Sequence, residues 1–155
     1  MQANLANTYA ALGKFDEATQ IEQDVYSGRL KLDGEEHRKT LMAANNYTAS
    51  LLKAQRFAEA KPLLLESIPV ARRVVGDSHE LTLRLRWMYA RALQENPDAT
   101  LDDLREAVTT GEDIEPTARR VFGGAHPLTK AIARDLRDAR TVLRVRSDCG
   151  RVMFV

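Results

Sequence analysis

The sequence predicts an all-α protein, an α-α superhelix in which about seven helices form a solenoid of antiparallel pairs. Two observations lead to this prediction: apolar residues recur at the three-to-four-residue spacing of helices, and one motif occurs three times. No segment shows sustained alternation of apolar and polar residues, so we expect no sheet. A chain of 155 residues is long enough for one domain with a substantial core or for a short stack of repeats.

The repeated motif combines glycine, histidine and threonine at fixed spacing. It reads GEEHRKTL at 34–41, GDSHELTL at 76–83 and GGAHPLTK at 123–130. All three histidines of the chain stand at its fourth position, and they are 42 and 47 residues apart. The longer stretches 71–82 and 118–129 are identical at eight of twelve positions, so the chain contains a true internal repeat.

A second motif gives the register inside each repeat. The sequence GKFDEA contains Phe15, and it recurs as QRFAEA at Phe57 and as DDLREA at Leu104. The interval grows from 42 to 47 residues between the second and third copies, so five residues are inserted before Leu104. The segment 96–100, Asn-Pro-Asp-Ala-Thr, has the composition of a turn, and we assign the insertion to it.

Each repeat is predicted to be a helix, a turn and a second helix. In the first repeat Leu5, Tyr9 and Leu12 share one helical face, and Gly13 ends the helix as a C-terminal glycine does. The same register gives predicted helices at 4–12, 15–32, 41–54, 57–75, 81–94, 101–122 and 127–145. Pro69 and Pro116 fall inside two of these helices, and we expect a kink or a break at each.

The repeats divide the chain into a predicted repeat domain and a tail. The domain covers 1–146, with units at about 1–36, 37–78 and 79–125 and a last helix at 126–146. Residues 147–155 match no repeat and are assigned to a C-terminal tail. The first unit begins inside a helix and the last helix lacks a partner helix, so we interpret the chain as a piece of a longer array.

Units of this design resemble the tetratricopeptide repeat, whose usual length is about 34 residues. The longer unit found here resembles the kinesin-light-chain type of that repeat. The matching residues are Asn4-Leu5-Ala6, Tyr9 and Gly13-Lys14-Phe15-Asp16-Glu17-Ala18, and later Gly123, His126, Pro127 and Thr129. The resemblance covers about residues 1–145. It implies a right-handed superhelix whose concave face is lined by the first helix of each unit and binds peptides.

The three histidines raise the question of a metal site. Neighbouring helices pack about 8–10 Å apart, whereas zinc–nitrogen bonds are about 2.0–2.1 Å, so histidines of successive units could hardly meet at one ion. Pro127 fits the first position of a helix, which makes His126 the N-cap and, by equivalence, His37 and His79 too. We therefore predict helix caps or interface packing, and no metal.

Composition argues against several classes of function. Lys and Arg number 23 against 22 for Asp and Glu, which gives no electrostatic reason to expect nucleic acid or an anionic membrane as partner. The sequence shows no nucleophile–base arrangement and no phosphate-binding loop, so we expect neither an enzyme nor a cofactor. No secretory signal is visible, apolar runs are shorter than a membrane span, and the single Cys149 excludes an intramolecular disulfide framework. The cytoplasm is the expected location.

The resemblance places candidate peptide contacts on the first helix of each unit. Asparagine amides both donate and accept hydrogen bonds, and Trp and Arg are frequent at binding hot spots. The candidates are Asn4, Asn7, Asn45, Asn46, Ala49, Lys53, Arg84, Trp87, Met88, Arg91, Arg134 and Asp138, with Ala11, Glu95 and Asp135 beside them. An alternative for Trp87 and Met88 is that they only fill space between helices.

Two functions remain open at this point. The first is a non-catalytic scaffold that binds a peptide or protein partner in its concave groove, similar to the cargo-binding repeats of kinesin light chain. The second is a structural, oligomerisation or regulatory repeat module of a larger multidomain protein, with self-association through exposed terminal repeats.

Overall fold

Seven helices make up the part of the chain that the structure describes. A computed structural model describes the backbone of residues 2–152 and the side chains of residues 4–150. The helices are α1 (Gln2–Ala11), α2 (Phe15–Asp33), α3 (Arg38–Lys53), α4 (Phe57–Val75), α5 (Glu80–Glu95), α6 (Leu101–Phe122) and α7 (Pro127–Val152). The predicted all-α solenoid is confirmed, and the described range contains no strand.

The helices form an inner and an outer layer. Each helix packs against its neighbour in the chain, and in addition α3 packs on α5 and α5 packs on α7. The first helices of the units therefore form the inner layer. The second helices, α2, α4 and α6, lie outside, each between the first helix of its own unit and that of the next.

A nearly continuous core joins the two layers. The main cluster runs from Leu41 on α3 through Leu64 on α4 and Leu85 on α5 to Ala107 on α6. A second cluster joins α5, α6 and α7 through Leu83, Ile114, Ala118, Leu128 and Ile132. Trp87 packs against both clusters, so this single side chain connects the second unit to the last helix.

The Gly–His motif makes the turn between units. Gly34, Gly76 and Gly123 adopt φ values of +80°, +96° and +85°, a region that favours glycine, and their amides bond to the carbonyl four residues back. Three residues later each histidine Nδ1 accepts a hydrogen bond from the amide two positions further on, at 3.1 Å, 3.1 Å and 3.2 Å. The prediction that the histidines cap helices is confirmed.

The inserted segment 96–100 is a turn, as predicted, and it ends in a strong helix cap. Thr100 accepts a bond from the Asp103 amide at 3.1 Å, while the Asp103 carboxylate accepts one from the Thr100 amide at 2.9 Å. The hydrogen bonds that the Thr100 amide and hydroxyl donate to the Asp103 carboxylate, together with Lys61, lower the pKa of Asp103 to about 2. The Lys61 ammonium lies 3.0 Å from the Asp103 carboxylate and joins α4 to α6.

The last helix is longer than the sequence indicated. The helix was expected to end near Val145, and residues 147–155 were assigned to a tail, but α7 continues to Val152. The Arg146 guanidinium donates a 2.6 Å hydrogen bond to the carbonyl of Ala99 in the inserted turn, which supports this additional length. Residues 153–155 of the predicted tail lie outside the described range.

Of the two outcomes expected at Pro69 and Pro116, a kink or a break, the break is wrong, because α4 and α6 run through these prolines without interruption. Both prolines are exposed, and so are Leu65 and Glu112, the residues four positions earlier. Each proline leaves the carbonyl of that earlier residue without its helical partner. Because these carbonyls lie on the solvent side, water can satisfy them and the helix continues.

Candidate functional site

The inner layer carries a pocket between α3 and α5. Its volume is about 240 Å³, and polar side chains surround two apolar ones, Met42 and Leu81. We call it the α3–α5 pocket, and its lining residues are Arg38, Met42, Asn45, Asn46, His79, Glu80, Leu81 and Arg84. Three of the predicted contact residues, Asn45, Asn46 and Arg84, therefore meet at one site.

Local bonds hold the polar side chains of this pocket. The Asn45 amide donates to the Asn46 side-chain oxygen at 3.3 Å. The Arg84 guanidinium donates to Glu80, one helical turn earlier, at 2.9 Å. Both Asn46 and Arg84 stay exposed, so their remaining donors and acceptors are available to an extended backbone.

A contact that sequence reasoning missed lies in the same pocket. Met42 is 51% exposed and provides its most accessible apolar side chain. The repeat register could have found it, because Met42 stands 42 residues before Arg84 and is its equivalent in the preceding unit. An unbranched, polarisable methionine suits a surface that adapts to different side chains.

The other half of the inner layer is closed by a polar cluster around Trp87. The indole Nε1 donates to the Asp135 carboxylate on α7 at 2.9 Å, and the Arg91 guanidinium lies 5.3 Å from the centre of the indole ring. Arg91 also pairs with Glu95 at 2.7 Å and lies 3.7 Å from Asp135, to which Arg134 donates at 3.0 Å. This Trp87 cluster, made of Trp87, Arg91, Glu95, Arg134 and Asp135, fastens α5 to α7.

Met88 is a correction to the predicted contact set. Its side chain is 4% exposed and belongs to the main core cluster, so it has no surface to offer a ligand. The reason is that α5 is packed by α3 on one side and by α7 on the other. Trp87 is half-buried and does fill space between helices, as the alternative interpretation held, although it also makes the polar link to Asp135.

The remaining candidates are spread along the inner layer. Asn4, Asn7 and Ala11 are exposed on α1, Asp138 is exposed on α7, and Ala49 is half-buried against the core. Lys53 is exposed near Glu22 of α2. Burial raises the pKa of Glu22, and the charge of Lys53 lowers it in part. The structure does not bring these residues into the α3–α5 pocket.

In chemical terms the inner layer offers hydrogen bonds, charge and a limited apolar surface. Among the side chains of residues 4–150, no group of three or more His, Cys, Asp or Glu could hold a metal ion. No helix in the described range is both long and apolar enough to span a membrane.

A family model decides where this chain belongs. The tetratricopeptide repeat model matches residues 1–38 and 40–80, which is half of the chain. The chain belongs to the tetratricopeptide repeat family. Members of this family present repeat surfaces to other proteins, so this tetratricopeptide protein is a helical-repeat interaction module.

Solved structures with kinesin-light-chain-like repeats share this fold. A Podosopora anserina protein described as a putative kinesin light chain with nearly identical TPR-like repeats superposes with a TM-score of 0.79 at 23% identity, over 89% of this chain and 63% of that one. BtubC (BKLC) from P. vanneervenii gives a TM-score of 0.67 at 15% identity, over 98% of this chain and 63% of that one. The tetratricopeptide protein thus spans less than two thirds of either structure. No curated protein matches its sequence.

Proposed function

We propose that this tetratricopeptide protein is a non-catalytic scaffold that binds an extended peptide segment of a partner in the groove of its inner layer. The observation that carries the proposal is the α3–α5 pocket, where an exposed Met42 lies beside Asn46 and Arg84. The apolar part suits one anchoring side chain, and the amides suit the peptide backbone on either side of it.

The neighbouring candidates extend the proposed groove. Asn4 and Asn7 lie on α1, Ala49 and Lys53 on the last turns of α3, and Arg134 and Asp138 on α7. We assign them to peripheral contacts, because they are solvent-exposed or, for Ala49, shallow. Trp87 and Arg91 are half-buried and bonded within the Trp87 cluster, so only their remaining exposed surface could contact a ligand.

Selection from a random peptide library against the immobilised protein tests this proposal. The affinity of a selected peptide is then compared between the wild type and Met42→Ala, Asn46→Ala and Arg84→Ala. We expect each variant to bind about five- to tenfold more weakly, since hot-spot truncations cost 1 kcal/mol or more. Arg105→Ala removes an exposed arginine on the outer helix α6 and is the matched control.

Two results would contradict the scaffold proposal. One is a selection that enriches no peptide, and the other is a selected peptide whose affinity is the same for all three variants and the control. Circular dichroism of each variant verifies that its helices are intact, so a loss of binding cannot come from unfolding.

A specific observation also supports the second function, self-association through a terminal repeat. Leu12 is 69% exposed, and Leu5 and Phe15 are exposed beside it in sequence. Leu5 is equivalent to Tyr47, which is buried and stacks on Tyr26 of the preceding helix with ring centres 6.0 Å apart. We propose that this N-terminal apolar surface pairs with another helical surface, either a second copy or another part of a larger protein.

The opposite end of the array does not invite such pairing. Leu83 and Ala90 of α5 are buried, but their equivalents on α7, Lys130 and Arg137, are exposed, and Arg140, the equivalent of the buried Leu93, pairs with Glu112 of α6 at 2.7 Å. Sedimentation over a concentration series should therefore show association that Leu12→Ser abolishes and Arg137→Ser leaves unchanged; a monomer at all concentrations would exclude pairing with a second copy.

A free, exposed cysteine is compatible with a reducing compartment, and we propose that the scaffold acts in the cytoplasm.

A further inference from the structure

A second pocket lies away from the inner groove, between the outer helices α2 and α4 and beside the first half of α3. Its volume is about 110 Å³, well above the ~10–15 Å³ that one water needs. We call it the Glu66 pocket, and it is lined by Tyr26, Leu30, Glu35, Thr40, Leu41, Ala44, Glu66, Ser67 and Val70.

The Glu66 pocket carries negative charge without a cation from the described part of the chain. Neither Glu35 nor Glu66 forms an ion pair within residues 4–150, whereas the adjacent Glu36 pairs with Arg73 at 2.7 Å. Burial raises the pKa of the Tyr26 hydroxyl, and the charges of Glu66 and Glu35 raise it further, which shows that both carboxylates act on this pocket.

The side chain of Ser67 also lines the pocket. Ser67 is 6% exposed, and its hydroxyl makes no hydrogen bond with any other described side chain or carbonyl. The Ser67 oxygen is not among the buried atoms without a partner, so it stays accessible from the pocket and can accept a hydrogen bond from a group bound there. Two threonines inside other outer helices, Thr19 and Thr109, instead bond to the carbonyl four residues back.

The equivalent region one repeat later, between α5 and α6, shows which side chain this kind of site accepts. The repeat register aligns Ala44 with Arg86, Glu66 with Asp113 and Ser67 with Ile114. The Arg86 side chain is only 14% exposed, and its guanidinium is hydrogen-bonded to Asp113 across the gap between α5 and α6. Beside Glu66 the chain has the small side chain of Ala44 and an open pocket. One repeat later it has Arg86, which contacts Asp113, the equivalent of Glu66.

We infer that the Glu66 pocket receives an arginine side chain from a partner protein, in the place that Arg86 occupies one repeat later. The guanidinium would donate to Glu66 and Glu35, and the Ser67 and Tyr26 hydroxyls would accept its remaining hydrogens. A planar, multiply donating group suits such a ring of acceptors better than the compact ammonium of lysine. This surface is formed by outer helices, so the docking is independent of the peptide groove between α3 and α5.

The test uses N-acetyl-arginine methylamide as probe and follows the backbone amides of Tyr26 and Ser67 by two-dimensional NMR. We expect saturable shifts at these amides, and binding about tenfold weaker for the neutral citrulline analogue, because a charged hydrogen bond contributes about 1.5–3 kcal/mol. Equal binding of the citrulline analogue would overturn the assignment.

Variants supply the second arm. Glu66→Gln, at an exposed position on α4, should weaken probe binding about tenfold. Glu17→Gln, near the start of α2 and outside the pocket lining, should leave probe binding unchanged. Ala44→Arg reproduces the second interval and should abolish binding by filling the site from within. An unaltered affinity in Glu66→Gln would contradict the proposal even if the Ala44→Arg protein does not fold.

Discussion

The two halves of the inner layer differ in how their helices meet. Between α3 and α5 the surface stays open, and Met42, Asn46 and Arg84 line a pocket of about 240 Å³. Between α5 and α7 the surface is closed by Trp87, the repeat equivalent of Asn45, which bonds to Asp135, the repeat equivalent of Met88. The same scaffold thus leaves a surface open between α3 and α5 and closes the surface between α5 and α7. The difference lies in the side chains at equivalent positions.

The largest expected effect comes from breaking the closed half. Trp87→Ala removes a half-buried ring that packs on two core clusters, and we expect the free energy of unfolding to fall by about 3 kcal/mol. Met42→Ala in the open half should change it by less than about 0.5 kcal/mol. Urea denaturation compares the two; similar losses in both variants would contradict the distinction between the halves.

A smaller effect is expected where α6 approaches α7. A Cβ atom at Gly111 would lie 2.9 Å from Leu136 Cδ1 and 3.3 Å from Leu136 Cβ, so the two helices are close because this residue is glycine. Gly111→Val should therefore destabilise the protein by about 2 kcal/mol, measured as a lower denaturation midpoint. Gly28→Val on α2, where a Cβ meets nothing within 4 Å, is the control, and an equal loss there would attribute the effect to helix propensity alone.

The caps between units should matter less than either helix contact. His79→Ala removes the acceptor for the Leu81 amide and should cost about 1 kcal/mol, whereas His79→Asn should recover most of it. Thermal melts of the two variants measure this difference. If a chelator lowers the melting temperature of the wild-type protein, the histidines bind a metal instead.

The smallest expected effect is on the pH dependence of stability, and it has opposite sign at Asp103 on α6 and at Glu22 on α2. The pKa of Asp103 is lowered from 3.8 to about 2, so its stabilisation is present above 3.8 and is lost as the pH falls toward 2. The pKa of Glu22 is raised from 4.5 by burial, so folding is favoured below 4.5 and loses stability as the pH rises above it.

Denaturation curves between pH 2 and pH 7 measure both contributions. Asp103→Asn should flatten the acid side of the stability profile, and Glu22→Gln should raise stability at pH 7. If Glu22→Gln destabilises the protein at pH 7, burial of that carboxylate is not the unfavourable contact that we infer.

Much of this architecture could be predicted from the sequence because the repeat gives three copies of each local signal. The helices begin and end within a few residues of the predicted positions, apart from the end of α7, and His37, His79 and His126 cap helices as expected. Local backbone chemistry decides these features, so short motifs are enough to predict them.

Features that depend on contacts between units were beyond the motifs. The bond from Trp87 to Asp135 joins residues 48 apart, and the burial of Met88 follows from helices on both sides of α5. Met42 and Ala44 could have been singled out by alignment with Arg84 and Arg86, but their importance appears only when α3 is seen against α4 and α5. Repeat equivalence predicts where a residue lies in its unit, whereas the neighbouring unit decides whether its side chain is buried, bonded or exposed.

The five inserted residues at 96–100 affect more than the spacing of the repeats. Ala99 in that turn is buried, and its carbonyl accepts the bond from Arg146 far along α7. The far part of α7 is therefore anchored by the five residues that lengthen the third unit, so the two lengths depend on each other. A protein engineer who trims the unit back to 42 residues to make a regular array would also have to shorten α7 or provide its end with a new anchor.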